Sequence, residues 1–99
     1  MAYKINVQPE VRSDIQEGID WYNEQENGLG IQFFSSVETH FRKLQSNPFY
    51  QVRYDDVRCM PMKRFPYMIH FTVDEAQKLV KVHGVIGTLR DPKIWEERK

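Results

Sequence analysis

The sequence has a single cysteine, Cys59, in 99 residues. An intramolecular disulfide is therefore excluded. The thiol lies in a strand-like run and reads as a small buried side chain rather than a reactive one. A lone thiol suits a reducing cytoplasm. Long apolar runs are also missing. None approaches the ~20 residues that span a bilayer, and MAYKINVQPE lacks the apolar segment of a secretion signal. No membrane partner is expected. Fourteen Lys/Arg balance fourteen Asp/Glu, so the total charge says nothing about partners. There is no glycine-rich phosphate loop, since Gly28-Leu29-Gly30 follows no strand and has no third glycine. His40, His70 and His83 lack metal-ligand spacing, so no cofactor is expected. With no repeat or linker, residues 1–99 form one domain.

What is present is organised around residues 64–87. Tyr67, Ile69, Phe71 and Val73 alternate with Met68, His70 and Thr72, the period of a strand with two different faces. Polar residues 74–77 make a short connection. Leu79 to Ile86 is a second β-branched run, with Lys81 and His83 between its apolar residues. The pair predicts a β-hairpin at the centre of a sheet.

The segments before it predict what packs on that sheet. Tyr3, Ile5 and Val7 alternate with Lys4 and Asn6 as a short strand. Pro9 suits a first helical turn. Val11, Ile15, Ile19 and Tyr22 then recur at helical spacing, with Glu10, Asp14, Glu17 and Asp20 outward. Gly18 lies in the apolar stripe and weakens the helix by about 1 kcal/mol relative to Ala, which predicts a close contact with a neighbouring backbone. Asn27-Gly28 ends this helix. Leu29, Phe33, Val37, Phe41 and Leu44 mark a second one, stopped at Asn47-Pro48. The two make an αα-hairpin. Residues 49–56 read as a connection and 57–62 as another strand, which Pro61 limits to an edge or a strand end. Asp91-Pro92 starts a last helical turn with Ile94 and Trp95. The expected fold is α+β: a small antiparallel sheet in the order β-α-α-β-β-β-α, with the helical hairpin on one face.

Charge is unevenly spread along this order. Residues 1–51 hold four Lys/Arg against seven Asp/Glu, and residues 52–99 hold ten against seven. Arg58, Lys63, Arg64, Lys81 and Arg90 fall on the expected strands or at their ends. Arg and Lys hold phosphate through charge-assisted hydrogen bonds and stabilise charge building on phosphorus. His70 and His83 fall on adjacent strands, and an imidazole moves a proton near neutral pH. Attack by a 2′-hydroxyl on RNA needs these groups and no metal. The candidate catalytic residues are thus Arg58, Arg64, Arg90 and His83, with Lys63 and Lys81 for substrate. The competing expectation is that Arg58, Arg64 and Arg90 pair with Asp55, Asp56, Asp91 or Glu75 and lock strand ends.

Several short stretches, in order, resemble the RelE/ParE superfamily of type II toxin–antitoxin toxins. They are Asp14-Ile15 with Ile19-Asp20-Trp21-Tyr22, then Gly28-Leu29-Gly30 to Phe33, then Val37-Glu38 to Asn47-Pro48. Arg64-Phe65-Pro66-Tyr67-Met68-Ile69, Val73-Asp74-Glu75, Arg90-Asp91-Pro92 and Trp95 complete the set. The resemblance implies a bacterial cytoplasmic toxin held by a cognate antitoxin whose C-terminal segment wraps it. It implies one of two targets: mRNA on the ribosome, cut by basic residues, His or Tyr on the concave sheet face and near the C-terminus, or DNA gyrase, poisoned without that set. Met68 stands where RelE has an arginine, Ile86-Gly87-Thr88 where many relatives have a histidine, and Trp95 near a catalytic Tyr or His. Arg58, Arg64 and Arg90 match motif positions. A third expectation is an inactive toxin-like module that only binds its partner.

Overall fold

The structure is a computed structural model that describes residues 2–88. Arg90 and the expected last helical turn lie outside the described residues. The elements are β1 (Lys4–Val7), α1 (Pro9–Gln25), α2 (Leu29–Ser46), β2 (Val52–Tyr54), β3 (Val57–Pro61), β4 (Tyr67–Asp74) and β5 (Leu79–Gly87). They form a helical hairpin on a five-stranded sheet of order β1-β5-β4-β3-β2. The α+β architecture expected from the sequence is present, with two additions.

The sheet is mixed. Strands β2 to β5 pair antiparallel, but β1 pairs parallel to β5, Ile5 opposite Val80 and Val7 opposite Val82. Short loops dictate direction only between neighbours in sequence, and most of the chain separates β1 from β5. The start of β1 is tied instead to the end of α2, where the Tyr3 amide donates to the Gln45 carbonyl at 2.7 Å. The second addition is β2, inside the segment expected to be a plain connection. It has three residues, its pairing with β3 is irregular and Val52 is exposed, so no run of alternation announces it.

The core lies between the helices and one face of the sheet. Tyr67, Ile69, Phe71 and Val73 of β4 oppose Gly87, Val85, Val82 and Val80 of β5. The register slips between His70 and Phe71, which inserts His83 as an extra residue in β5. Such a bulge reverses alternation beyond it. Val80 and Val82 before the bulge therefore share the helix-facing side with Val85 after it, and all three are buried in one cluster. Val11, Ile15 and Tyr22 of α1 and Phe33, Val37 and Leu44 of α2 complete that cluster. Phe33 meets Tyr22, Phe65 and Tyr67 at ring-centroid distances of 5.2, 5.3 and 4.9 Å. Burying a phenyl ring of this kind contributes about 2–3 kcal/mol by area alone.

Two glycines set the spacing of the helical hairpin. A Cβ at Gly18 would lie 2.5 Å from the Phe33 ring, and one at Gly30 would lie 2.5 Å from the Ile19 carbonyl oxygen. The expected close contact of Gly18 is thus with a side chain, and the backbone approach occurs at Gly30. There the amide also donates to Asn23 Oδ1 at 2.8 Å.

Candidate functional site

The sheet face turned away from the helices carries the described polar groups with chemistry. It is defined by register. Cys59 of β3 opposes His70 of β4, and Thr72 of β4 opposes Lys81 of β5. All of these alternate with residues of the helix-side core. His70 Nδ1 lies 3.1 Å from the Tyr54 hydroxyl and 3.4 Å from Cys59 Sγ. A neutral ring with a bare Nδ1 accepts from both. The bulge brings His83 to the same face, its Nε2 2.9 Å from Thr72 Oγ1. Lys81 stands in register between Thr72 and Asn6 of β1.

Burial divides this face. His70 is 1% exposed and Cys59 is 5% exposed, whereas Lys81 and His83 are half-buried. The Cys59 thiol is pushed above its ordinary pKa, chiefly by burial, with the Arg53 charge opposing. It is a packed thiol, as its sequence context suggests. Tyr54 and Arg53 were not singled out by sequence reasoning. Alternation over Val52-Arg53-Tyr54 was the available signal, and it is too short to separate from a loop.

The arginines go elsewhere. Arg58 opposes Phe71 in the β3–β4 ladder, which puts it on the helix side. Its Nη1 donates to the Tyr50 carbonyl at 2.7 Å, and the guanidinium lies 5.6 Å from the Phe49 ring centroid. Arg64 is exposed in the β3–β4 loop, takes φ of 78°, donates to Gln32 Oε1 of α2 and lies 5.1 Å from the Phe65 ring centroid. Arg58 and Arg64 thus donate to a carbonyl and a side-chain amide, where carboxylate partners were the competing expectation. Lys63 is exposed beside Arg64, and its backbone amide donates to His40 Nε2 at 3.2 Å. Of the sequence candidates, the fold brings His83 and Lys81 to one face and leaves Arg58, Lys63 and Arg64 on the α2 side. Arg90 lies outside the described residues.

No described group of His, Cys, Asp and Glu could hold a metal ion, and no described helix is long and apolar enough to cross a membrane. Trp21 of α1 and Ile31 and Phe34 of α2 are large apolar side chains left exposed. A shallow groove of about 490 Å³ runs along the end of α2, lined by Thr39, Arg42, Lys43, Ser46, Asn47 and Tyr50.

No protein-family model matches the chain, and no curated protein matches it in sequence. Its fold does match solved structures. A chain of the chromosomal ParDE toxin–antitoxin system from P. aeruginosa superposes with a TM-score of 0.77 at 13% identity, over 87% of this chain and 96% of that one. A mutant E. coli toxin RelE in the free state gives 0.68 at 14% identity, over 99% and 95%. The RelBE2 toxin–antitoxin complex from Mycobacterium tuberculosis gives 0.62 at 15% identity, over 88% and 99%. The chain has a RelE/ParE-like toxin fold.

Proposed function

We propose that this chain is the toxin of a toxin–antitoxin pair, and that it acts by binding its target rather than by cutting RNA. The toxin role is supported by the fold likeness, which runs over nearly the whole length of ParDE and RelE chains. An antitoxin partner is supported by the exposed Trp21, Ile31 and Phe34 on the helical hairpin, since apolar side chains of this size accept a partner segment. The observation that carries the binding mode is that the described candidate arginines lie away from the histidine face, which leaves Lys81 as the one described candidate cation beside His83. Cleavage at a phosphate needs a cation and a proton-moving group within hydrogen-bond reach of one phosphodiester. Arg58 and Arg64 are engaged on the α2 side, and His83 sits on the other face.

DNA gyrase is the target this reading favours. The test is a gyrase supercoiling assay beside an mRNA-cleavage assay on translating ribosomes, with the purified protein in both. Inhibited supercoiling with intact mRNA is the expected result. Cut mRNA with unaffected supercoiling would overturn it. A second reading, mRNA cleavage, is favoured by His83, Lys81 and Thr72 lying together, with Arg90 as the further cation. Under it, His83→Ala and Lys81→Ala lose cleavage while the fold is kept. Expression without growth arrest would leave only an inactive partner-binding module.

A further inference from the structure

His40 is one of two buried polar side chains among the described residues, 4% exposed on the inner stripe of α2. Its ring nitrogens have partners of opposite kind. Nδ1 lies 2.6 Å from the Ser36 carbonyl oxygen, which can only accept. Nε2 lies 3.2 Å from the Lys63 amide nitrogen, which can only donate. Together they dictate one state: a neutral imidazole with the proton on Nδ1 and a bare Nε2. The Ser36 hydroxyl, 3.5 Å from Nδ1, adds nothing that changes this.

The bond to Lys63 reaches 23 residues along the chain and lands in the β3–β4 loop, residues 62–66. The Met62 amide closes the base of that loop on the Tyr67 carbonyl at 2.9 Å. Arg64 then takes a left-handed backbone conformation that a non-glycine side chain adopts at a cost, and Phe65 turns into the core. Helix α2 holds the loop at two polar points, His40 on the Lys63 amide and Gln32 on the Arg64 guanidinium. The first of these depends on the charge state of an imidazole.

We propose that His40 is a proton-sensitive clasp that positions the Lys63–Arg64 loop on α2. Protonation puts an N–H on Nε2, where it faces the N–H of Lys63. The acceptor is lost and two donors oppose each other. The charged residues of the loop and of α2 within three positions of His40 are Lys63, Arg64, Glu38, Arg42 and Lys43, and no carboxylate is among the ring's hydrogen-bond partners. The Ser36 carbonyl keeps its Nδ1–H bond in either charge state, so only the Lys63 side loses its partner. Acid therefore frees the Lys63 end of the loop, while Phe65 and the Gln32 contact keep the rest attached. The clasp does not depend on what the protein acts on.

The test is NMR on the full chain between about pH 7 and about pH 5, the range in which histidine changes charge. Ring nitrogen shifts at the upper end are expected to report the Nδ1–H tautomer. Exchange protection of the Lys63 amide, corrected for intrinsic rate, should fall about fivefold across the series, the factor that one neutral hydrogen bond is worth. The Phe71 and Val82 amides should hold. His40→Gln keeps an acceptor and should remove the pH dependence. His40→Leu should lose protection at every pH. An Nε2–H tautomer, or Lys63 protection that ignores pH in the wild type, overturns the proposal even if the leucine variant fails to fold.

Discussion

The two faces of the central hairpin are built from alternate residues of the same strands, yet they obey different rules. The helix side of β4 is Tyr67, Ile69, Phe71 and Val73, and it packs into the apolar cluster shared with the helices, with Val85, Val82 and Val80 of β5 opposite the last three. The opposite side is Met68, His70, Thr72 and Asp74; Met68 stands opposite Ile86, and the other three reach neighbours through hydrogen bonds. Stability resides on the first face, where buried area accumulates over many contacts. His70 and His83 lie on the second. The contrast teaches that the residues that set the core and the residues that make polar contacts are separable along one strand.

Adjacent residues on β4 give the strongest way to break this comparison. Phe71→Ala is expected to cost about 3–5 kcal/mol, the loss of a fully buried aromatic ring and the cavity it leaves. A urea melt reads it as a lower midpoint with an unchanged slope. Thr72→Ala, one residue on, should cost less than about 1.5 kcal/mol, because only the bond to His83 is lost. Equal losses would mean that both faces carry the core. Next in size is Gly30→Ala. Its Cβ would press on the Ile19 carbonyl, and the helices would separate at a cost of about 1–3 kcal/mol. Gly18→Ala meets the Phe33 ring instead. A ring can tilt where a carbonyl in a helix cannot, so the loss should be smaller. The same melts decide the order.

These effects follow the line between what the sequence disclosed and what it hid. The helix-side core was legible because Val11, Ile15 and Tyr22, or Phe33, Val37 and Leu44, repeat at a period that only a helix satisfies. Phe71 and its neighbours repeat at a period that only a strand satisfies. The parallel pairing of β1 was hidden because no loop joins it to β5. The bulge at His83 was hidden because an extra residue leaves no mark in composition. Without it, Val85 would be assigned to the wrong face. The arginines illustrate a further limit. Arg58 sits on the strand where the sequence put it, but one residue of register sends it to Tyr50 rather than to His70. His40 was visible only as a residue without metal spacing. Its partner is the Lys63 backbone, and backbone partners have no sequence signal at all.

On the open face, the Tyr54 hydroxyl is the contact most cleanly removed. Tyr54→Phe deletes the oxygen 3.1 Å from His70 Nδ1 and keeps the ring, 5.9 Å from the imidazole. The expected cost is about 1 kcal/mol, with the His70 ring resonances shifted and the helix-side amides unchanged. A loss as large as that of Phe71→Ala would place His70 in the load of the core and collapse the distinction between the faces.

The smallest effect concerns Cys59 and appears only in alkali. Burial raises its pKa in the folded chain, and Arg53 offsets only part of that. The folded state therefore keeps its thiol proton at pH values where the unfolded chain has released it. By linkage, stability is complete below the ordinary thiol range and declines as pH rises through it, because ionisation there favours the unfolded chain. A Cys59→Ala variant should lack this alkaline decline while losing a little stability at neutral pH from the smaller side chain. Alkylation gives an independent reading of the same burial. In the native protein the thiol should react only as fast as the sheet opens, and in urea at the rate of a free cysteine. A native thiol that reacts at the free rate would mean that the face around His70 is open to solvent. His70 would then join Lys81 and His83 as a group able to meet a phosphate, and the case for RNA cleavage would strengthen at the expense of binding alone.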